Sequence, residues 1–152
     1  MSSGKQVIHL HIPSELGFEK VAMGAARSVA QKMGFSNDRI LDLQTAIAEA
    51  CTNAIEHGNR LNSAQRVEVV MTVEENALAV DVHDRGRDAQ FTEPQIYDHH
   101  NHRGMGMYII KQLVDEVQWS AQPQGGQVRM VIYLEPDAGD GTSPRPQGES
   151  GL

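Results

Sequence analysis

The chain has 152 residues, with thirteen Lys and Arg against twenty Asp and Glu, and a net charge of −7. This length suits one domain with a real core, and the acidic balance argues against non-specific binding to nucleic acid or to an anionic membrane surface. The single cysteine, Cys51, excludes a disulfide framework or a multi-cysteine zinc site within one chain. No apolar run is long enough to span a membrane and no apolar signal segment follows Met1, so we expect a cytoplasmic protein.

Alternation and helical spacing predict the first two elements. Lys5–Ile12 alternates apolar and polar residues before a proline, which predicts a strand. Apolar residues then recur at helical spacing over Phe18–Met33. We expect Ser14 to cap the start of this helix and Gly34 to end it.

The second predicted helix runs from a cap at 36–38 to about His57 and is ended by Gly58. Glu49, Asn53 and His57 follow one another at intervals of four residues, so they share one edge of this helix. A carboxylate one turn before an amide suits a magnesium-phosphate site, because the amide oxygen can bind the metal while the carboxylate orients or deprotonates a nucleophile. A solvated polar face is the alternative interpretation.

Two alternating segments come next and predict a β-hairpin, Arg66–Val73 and Ala77–His83. The second segment runs into Asp84 and Gly86, which puts a carboxylate at the end of a strand. Side chains at such positions meet ligands in open sheets.

Residues 91–103 have no clean period, so we expect a loop over the site. The loop contains His99, His100 and His102, and three histidines in four residues can bind a metal. However, Asp98 is the single carboxylate near them and no cysteine accompanies them, so a metal site is the less favoured interpretation.

The segment Gly104-Met105-Gly106 opens the third predicted helix, which we expect to continue to about Val117. A glycine pair at a helix start exposes backbone N–H groups at the positive end of the helix dipole, which suits an anion, and Arg103 adds positive charge. An ordinary tight turn is the alternative.

The last predicted strand is Gln127–Leu134, which follows a turn at residues 123–126 and closes the sheet. From Glu135 onwards the chain is rich in Pro, Gly, Asp, Ser and Thr and has almost no apolar residue. The sequence therefore predicts one domain over residues 1–135 and a disordered tail over residues 136–152.

Three separated segments together resemble a known family. Glu49–Gly58 is closely similar to the N box of the small anti-sigma-factor serine kinases, and Gly104–Ile110 with Asp115-Glu116-Val117 is closely similar to their second glycine box. These kinases belong to the GHKL group of ATP-binding proteins, with histidine-kinase catalytic domains, gyrase, Hsp90 and MutL. The resemblance covers about residues 7–135 and implies an α+β two-layer sandwich of the Bergerat type. In that fold about three helices cover one face of a mixed, mostly antiparallel sheet.

The resemblance also implies ATP and Mg²⁺ as cofactors. Asn53 would coordinate the Mg²⁺ that bridges the phosphates, and Glu49 would act as general base on the serine hydroxyl of a protein substrate. Asp84 would accept a hydrogen bond from the adenine amino group, and Gly86 would let the backbone lie close to the base. The residues that would close over the phosphates are Arg103, Gly104, Met105 and Gly106.

The implied partners are proteins. In the family, the kinase phosphorylates a small STAS-domain anti-anti-sigma factor, and a dimer of the kinase sequesters a sigma factor. The resemblance therefore implies an anti-sigma factor and ATP-dependent serine protein kinase in a partner-switching pathway, with a homodimer as a further expectation.

Two departures from the family pattern leave a second interpretation open. Asp88 stands where the first glycine box has its second glycine, and Gly125-Gly126 stands where the last strand often has Gly-Thr. The alternative is a partner-switching module that binds ATP weakly or not at all. A sensor-kinase fragment acting on histidine is expected less, because no dimerisation helix precedes the domain and the interval from Asp84 to Gly104 is short for its usual lid.

Overall fold

The computed structural model describes residues 4–62, 64–85 and 102–135, and for residues 102–105 it describes the backbone alone. In chain order the elements are β1 (Gln6–Pro13), α1 (Glu19–Met33), α2 (Asn37–Asn53), a π-helical turn (Ala54–Gly58), β2 (Arg66–Val73), β3 (Ala77–His83), α3 (His102–Leu113), β4 (Glu116–Gln122) and β5 (Gly125–Tyr133). The predictions for Gly86, for Asp88, for the loop over residues 91–101 and for the tail over residues 136–152 lie outside the described residues.

The five strands form one sheet in the order β1-β2-β3-β5-β4. Every pairing between the described strands is antiparallel, so the parallel pair of a mixed sheet is not found among them. The reason is the path of the chain. After β3 the chain passes through α3 to β4, at the edge of the sheet. Strand β5 then lies between β3 and β4, so these two strands, which run in the same direction, are not neighbours.

One face of the sheet packs against the helices. Successive residues of a strand point alternately to this face and to the outer face. Val67, Val69 and Met71 are on the buried side of β2. Helix α2 contacts both α1 and α3 and so lies in the middle of the helical layer. This arrangement confirms the predicted two-layer α+β architecture. None of the helices in the described ranges is long and apolar enough to cross a membrane.

The helix ends test the predicted caps. Gly34 ends α1 in the left-handed conformation, with φ of 100°, as expected, and the Ser36 side chain accepts a hydrogen bond from the Arg39 N–H at 3.2 Å, which caps α2. The prediction that Ser14 caps α1 is wrong. Helix α1 begins five residues later, and Ser14 is instead buried between two long-range hydrogen-bond partners.

Strand β4 is absent from the sequence prediction, which continued the third helix to Val117. In the structure α3 ends at Leu113, and Val117 faces Met130 across the β4–β5 ladder. The apolar residues at 110, 113, 114 and 117 fit a helical period. Residues 117, 119 and 121 fit an alternating period equally well, and pairing with β5 decides between the two.

Candidate functional site

The first half of the candidate site is a contact between α2 and α3. Glu49 and Asn53 lie one turn apart on α2, both half-buried, and Gly106 of α3 is packed against them. A methyl group added at Gly106 would lie 2.7 Å from Glu49 Oε1 and 3.3 Å from Asn53 Nδ2. Glycine at this position therefore lets the α3 backbone approach a carboxylate and an amide that a larger residue would displace.

The side-chain nitrogen of Asn53, Nδ2, is buried. It has no hydrogen-bond partner within the described part of the chain. Buried polar groups are almost always paired, so an unpaired one needs a physical reason. Rotation of the amide by half a turn presents its oxygen at the same place, and an amide oxygen is a ligand that Mg²⁺ accepts. The donor set at this position fits a magnesium-phosphate group.

His57 does not continue the polar edge of α2. The α-helix ends at Asn53, and residues 54–58 form a π-helical turn closed by the Asn59 N–H to the Ala54 carbonyl at 2.8 Å. A π turn holds more residues than an α turn, so His57 is rotated away from the line expected for an α-helix. Its charged neighbour is Glu56, with 4.0 Å between Nε2 and Oε1. The predicted row of three side chains is reduced to Glu49 and Asn53.

The second half of the site is the Asp84 carboxylate, which lies among three buried glycines. A methyl group added at Gly58 would overlap the Asp84 side chain, and one at Gly126 would lie 3.1 Å from Asp84 Oδ2. Gly125 has φ of 143°, and a methyl group added there would overlap the Asp84 carbonyl. The Gly126 N–H donates to Asp84 Oδ1 at 3.0 Å.

One helical segment connects the two halves. Gly58, which touches Asp84, is five residues after Asn53 in the same helical run. Gly58 and Asn53 therefore lie roughly 7 Å apart along the helix axis. The structure thus brings together Glu49 and Asn53 at Gly106, and it places Asp84 against Gly58, a short distance along the helical run from Asn53.

The predicted phosphate segment is part of α3. This helix begins at His102, two residues earlier than expected, so Arg103, Gly104 and Met105 belong to its first turn and Gly106 to its second. Backbone N–H groups in the first turn of a helix have no intrahelical partner and favour an anion. Among the described residues, no group of three or more His, Cys, Asp or Glu side chains is placed to hold a metal.

Asn59 is a site residue that the sequence prediction missed. It is 4% exposed, and its Oδ1 accepts a hydrogen bond from the Arg85 N–H at 2.7 Å. It follows directly after the π turn and supports the residue next to Asp84. A polar residue after a helix-ending glycine resembles any turn residue, so no local pattern distinguishes it.

Two cavities of about 410 and 230 Å³ open on the outer face of the sheet and share Glu68, Arg85 and Gln124 in their linings. Glu68 lies between the buried Val67 and Val69 in β2 and so faces away from the helices. The larger cavity therefore lies across the sheet from Glu49 and Asn53, whereas the smaller one also reaches Asp84, Gly125 and Gly126 at the end of the sheet.

The chain matches the histidine kinase-like ATPase domain family over residues 12–132. It is also 32% identical, over 88% of its length and 89% of the relative's, to the serine-protein kinase RsbW of Bacillus velezensis. The chain belongs to the histidine kinase-like ATPase family, among the RsbW-type serine-protein kinases.

A second relative and a solved structure are also similar to this chain. The serine-protein kinase RsbW of Bacillus subtilis is 29% identical over 88% of this chain and 89% of its own. Among solved structures, the crystal structure of the RsbU and RsbW domains of Rv1364c from Mycobacterium tuberculosis has a TM-score of 0.65, with 19% identity, over 85% of this chain and 32% of that one. That likeness supports the fold, and the use of ATP follows from membership of the ATPase family.

Proposed function

We propose that the chain transfers the γ-phosphoryl group of ATP to a serine of a STAS-domain anti-anti-sigma factor, and holds a sigma factor in a cytoplasmic partner-switching pathway. The observation that carries the proposal is the meeting of Glu49, Asn53 and Gly106, where the buried Asn53 Nδ2, which has no partner among the described residues, lies beside a carboxylate. Membership of the RsbW-type kinases supports the reaction class. The partners and a homodimer belong to the same proposal.

Each group has a defined task in this reaction. Asn53 would hold the Mg²⁺, which when bound offsets charge on the phosphates. Glu49 would take the proton of the serine hydroxyl as its oxygen bonds to the γ-phosphorus, while the bond from that phosphorus to the bridging oxygen breaks and ADP leaves. Asp84 would accept a hydrogen bond from the adenine amino group, with Gly86 beside the base.

The start of α3 would bind the phosphates. Arg103, Gly104 and Met105 lie in its first turn, where free backbone N–H groups and the helix dipole favour an anion, and Gly106 follows in the second turn. Gly106 would have a second task, since the absence of a side chain there keeps the Glu49 carboxylate and the Asn53 amide in place.

The test uses Glu49→Gln, which removes the base but keeps the shape of the side chain. Incubation with Mg-ATP and a STAS-domain antagonist should give phosphoserine, detected by mass spectrometry, and the variant should transfer at least about a hundredfold more slowly while binding ATP normally. Glu56→Gln is the matched control, because Glu56 lies on the adjoining π turn beside His57. Equal rates for both variants and the unmodified chain would remove Glu49 from the mechanism.

The second candidate is a partner-switching module with weak or absent ATP binding, favoured by Asp88 in the first glycine box and by the missing hydroxyl at Gly126. Calorimetry with ATP and Mg²⁺ separates the two. Micromolar binding supports the kinase, and an antagonist bound equally well with and without nucleotide supports the module.

A further inference from the structure

The Asn59 side chain forms hydrogen bonds with three separate parts of the chain, one of them the residue that follows Asp84. Its Oδ1 accepts from the Arg85 N–H at 2.7 Å, and its Nδ2 donates to Ser14 Oγ at 2.8 Å and to the Arg66 carbonyl at 3.3 Å. An asparagine amide offers two donor hydrogens and an acceptor oxygen, so both ends of this side chain are used. A buried polar group with this many partners has one favourable orientation.

Asn59 is itself fixed on two sides. Its N–H donates to the Ala54 carbonyl at 2.8 Å, which ties it to the helical segment that carries the N box. The hydroxyl of Ser14 donates in turn to the Gln65 carbonyl at 2.8 Å, so this partner of Asn59 is held as well. The Arg85 N–H is therefore bound to a rigid part of the protein.

The bond to Arg85 acts directly on Asp84. The peptide group between these two residues is planar, so holding the Arg85 N–H fixes the orientation of the Asp84 carbonyl and limits rotation about its backbone. On the other side, Gly126 accepts from the Asp84 N–H at 3.0 Å and donates to its Oδ1. Asn59 and Gly126 thus hold Asp84 from the two ends.

We propose that Asn59 is a positioning residue for base recognition: by binding the Arg85 N–H it aims the Asp84 carboxylate at the 6-amino group of the adenine ring. This inference rests on the proposed function, because it takes Asp84 as the residue that reads the base. Asn59 itself does not touch the nucleotide.

The test compares ATP with inosine triphosphate, which carries an oxygen in place of the 6-amino group. Calorimetry with Mg²⁺, at a temperature where circular dichroism shows folded protein, gives the ratio of the two dissociation constants. The unmodified chain should prefer ATP by about tenfold or more, the worth of one well-placed hydrogen bond to a charged group. Asn59→Ala should bring the ratio close to one.

Two further variants separate positioning from stability. Asn59→Asp keeps an oxygen for the Arg85 N–H but cannot donate to Ser14 or Arg66, so it should melt at a lower temperature and keep its preference for ATP. Asn62→Ala is the matched control. Asn62 is exposed, and its side chain accepts from the Ala64 N–H within its own loop at 3.0 Å, so both readouts should stay unchanged.

The outcomes distinguish the inference from the function beneath it. An unmodified chain that prefers ATP, together with an Asn59→Ala variant of equal preference, would overturn the inference alone. An unmodified chain that binds both nucleotides equally would overturn the role of Asp84 and the inference with it. Should Asn59→Ala fail to fold, Asn59→Leu, which fills the space that alanine leaves but offers no acceptor to the Arg85 N–H, should also bring the ratio close to one, and an unchanged ratio there would contradict the proposal.

Discussion

Asp84 and Gly126 are joined by two reciprocal hydrogen bonds, in which the Gly126 N–H donates to Asp84 Oδ1 and the Asp84 N–H donates to the Gly126 carbonyl, each at 3.0 Å. The pair connects the end of β3 to the start of β5. The donor to the carboxylate is the backbone N–H of Gly126, so this support of Asp84 needs no side chain at position 126. The second carboxylate oxygen faces Gly58.

Gly58→Ala should weaken nucleotide binding. The added methyl group would overlap the Asp84 side chain, so the carboxylate must move away from its position at the end of β3. We expect a dissociation constant for ATP raised by about tenfold or more and a loss of about 1–3 kcal/mol in unfolding free energy from overpacking. Calorimetry and urea unfolding measure the two effects.

Gly24→Ala is the matched control for this substitution. Gly24 is exposed in the interior of α1, and a methyl group added there meets no atom within 4 Å. The unfolding free energy should rise by about 0.5–1 kcal/mol, because alanine has less backbone freedom to lose in a helix. ATP binding that fell equally in both variants would show that the Gly58 effect does not arise at Asp84.

Gly125→Ala tests the close approach of β5 to the Asp84 turn. Gly125 has φ of 143°, and its added methyl group would overlap the Asp84 carbonyl. Gly17 also has a positive φ, of 110°, but no atom lies within 4 Å of its methyl position. Urea unfolding should show a loss of about 1–2 kcal/mol for Gly17→Ala from backbone strain alone, and about 2–4 kcal/mol for Gly125→Ala. Equal losses would mean that overlap with the Asp84 carbonyl adds nothing to the unfolding free energy lost through backbone strain.

Arg39 should couple α2 to the turn after α3. Its guanidinium donates to the Leu113 carbonyl at 3.1 Å and to Asp115 Oδ2 at 3.0 Å, with a quarter to two fifths of each charged side chain exposed. Because of this exposure, a double-mutant cycle with Arg39→Ala and Asp115→Asn should give a coupling of about 0.5–1 kcal/mol. The more exposed pair of Lys5 and Glu74, at 3.5 Å, is the comparison and should give less. A coupling for Arg39 no larger than that of the exposed pair would contradict the prediction.

Local spacing predicts the parts of this protein whose partners are close in sequence. Glu49 and Asn53 share an edge because they are four residues apart, and the structure confirms this because α2 is regular as far as Asn53. The row fails at His57, because residues 54–58 form a π turn, in which Gly58 lies against Asp84 from a distant part of the sequence. Spacing alone carries no such information.

Partners far apart in sequence were not predictable. Ser14 and Asn59 are 45 residues apart, and their hydrogen bond gives no periodic signal at either position. Ser14 matched a helix cap by residue type, whereas burial beside Asn59 gives it another role. Strand β4 was missed for a related reason: its apolar residues fit two periods, and the ladder with β5 selects one of them.

The Cys51 thiol should be unreactive in the folded chain and should make stability depend on pH. Burial raises its pKa from 9.0 to about 12, with a smaller contribution from the charge of Glu19. The thiol is neutral when protonated, so between these pH values the unfolded chain loses a proton that the folded chain keeps. The resulting stabilisation is complete below about pH 9 and is lost as the pH rises towards 12.

Urea unfolding of the unmodified chain and of Cys51→Ala at several pH values checks this directly. The difference in unfolding free energy between the two should change by about 1.4 kcal/mol for each pH unit above 9, in favour of the variant. Lysine and tyrosine titrations occur in both proteins and cancel in the difference. At pH 8, iodoacetamide should label Cys51 in urea and leave it unlabelled in the folded protein. A constant difference, together with rapid labelling of folded protein, would mean that the thiol reaches water and that α2 does not bury it as the structure shows.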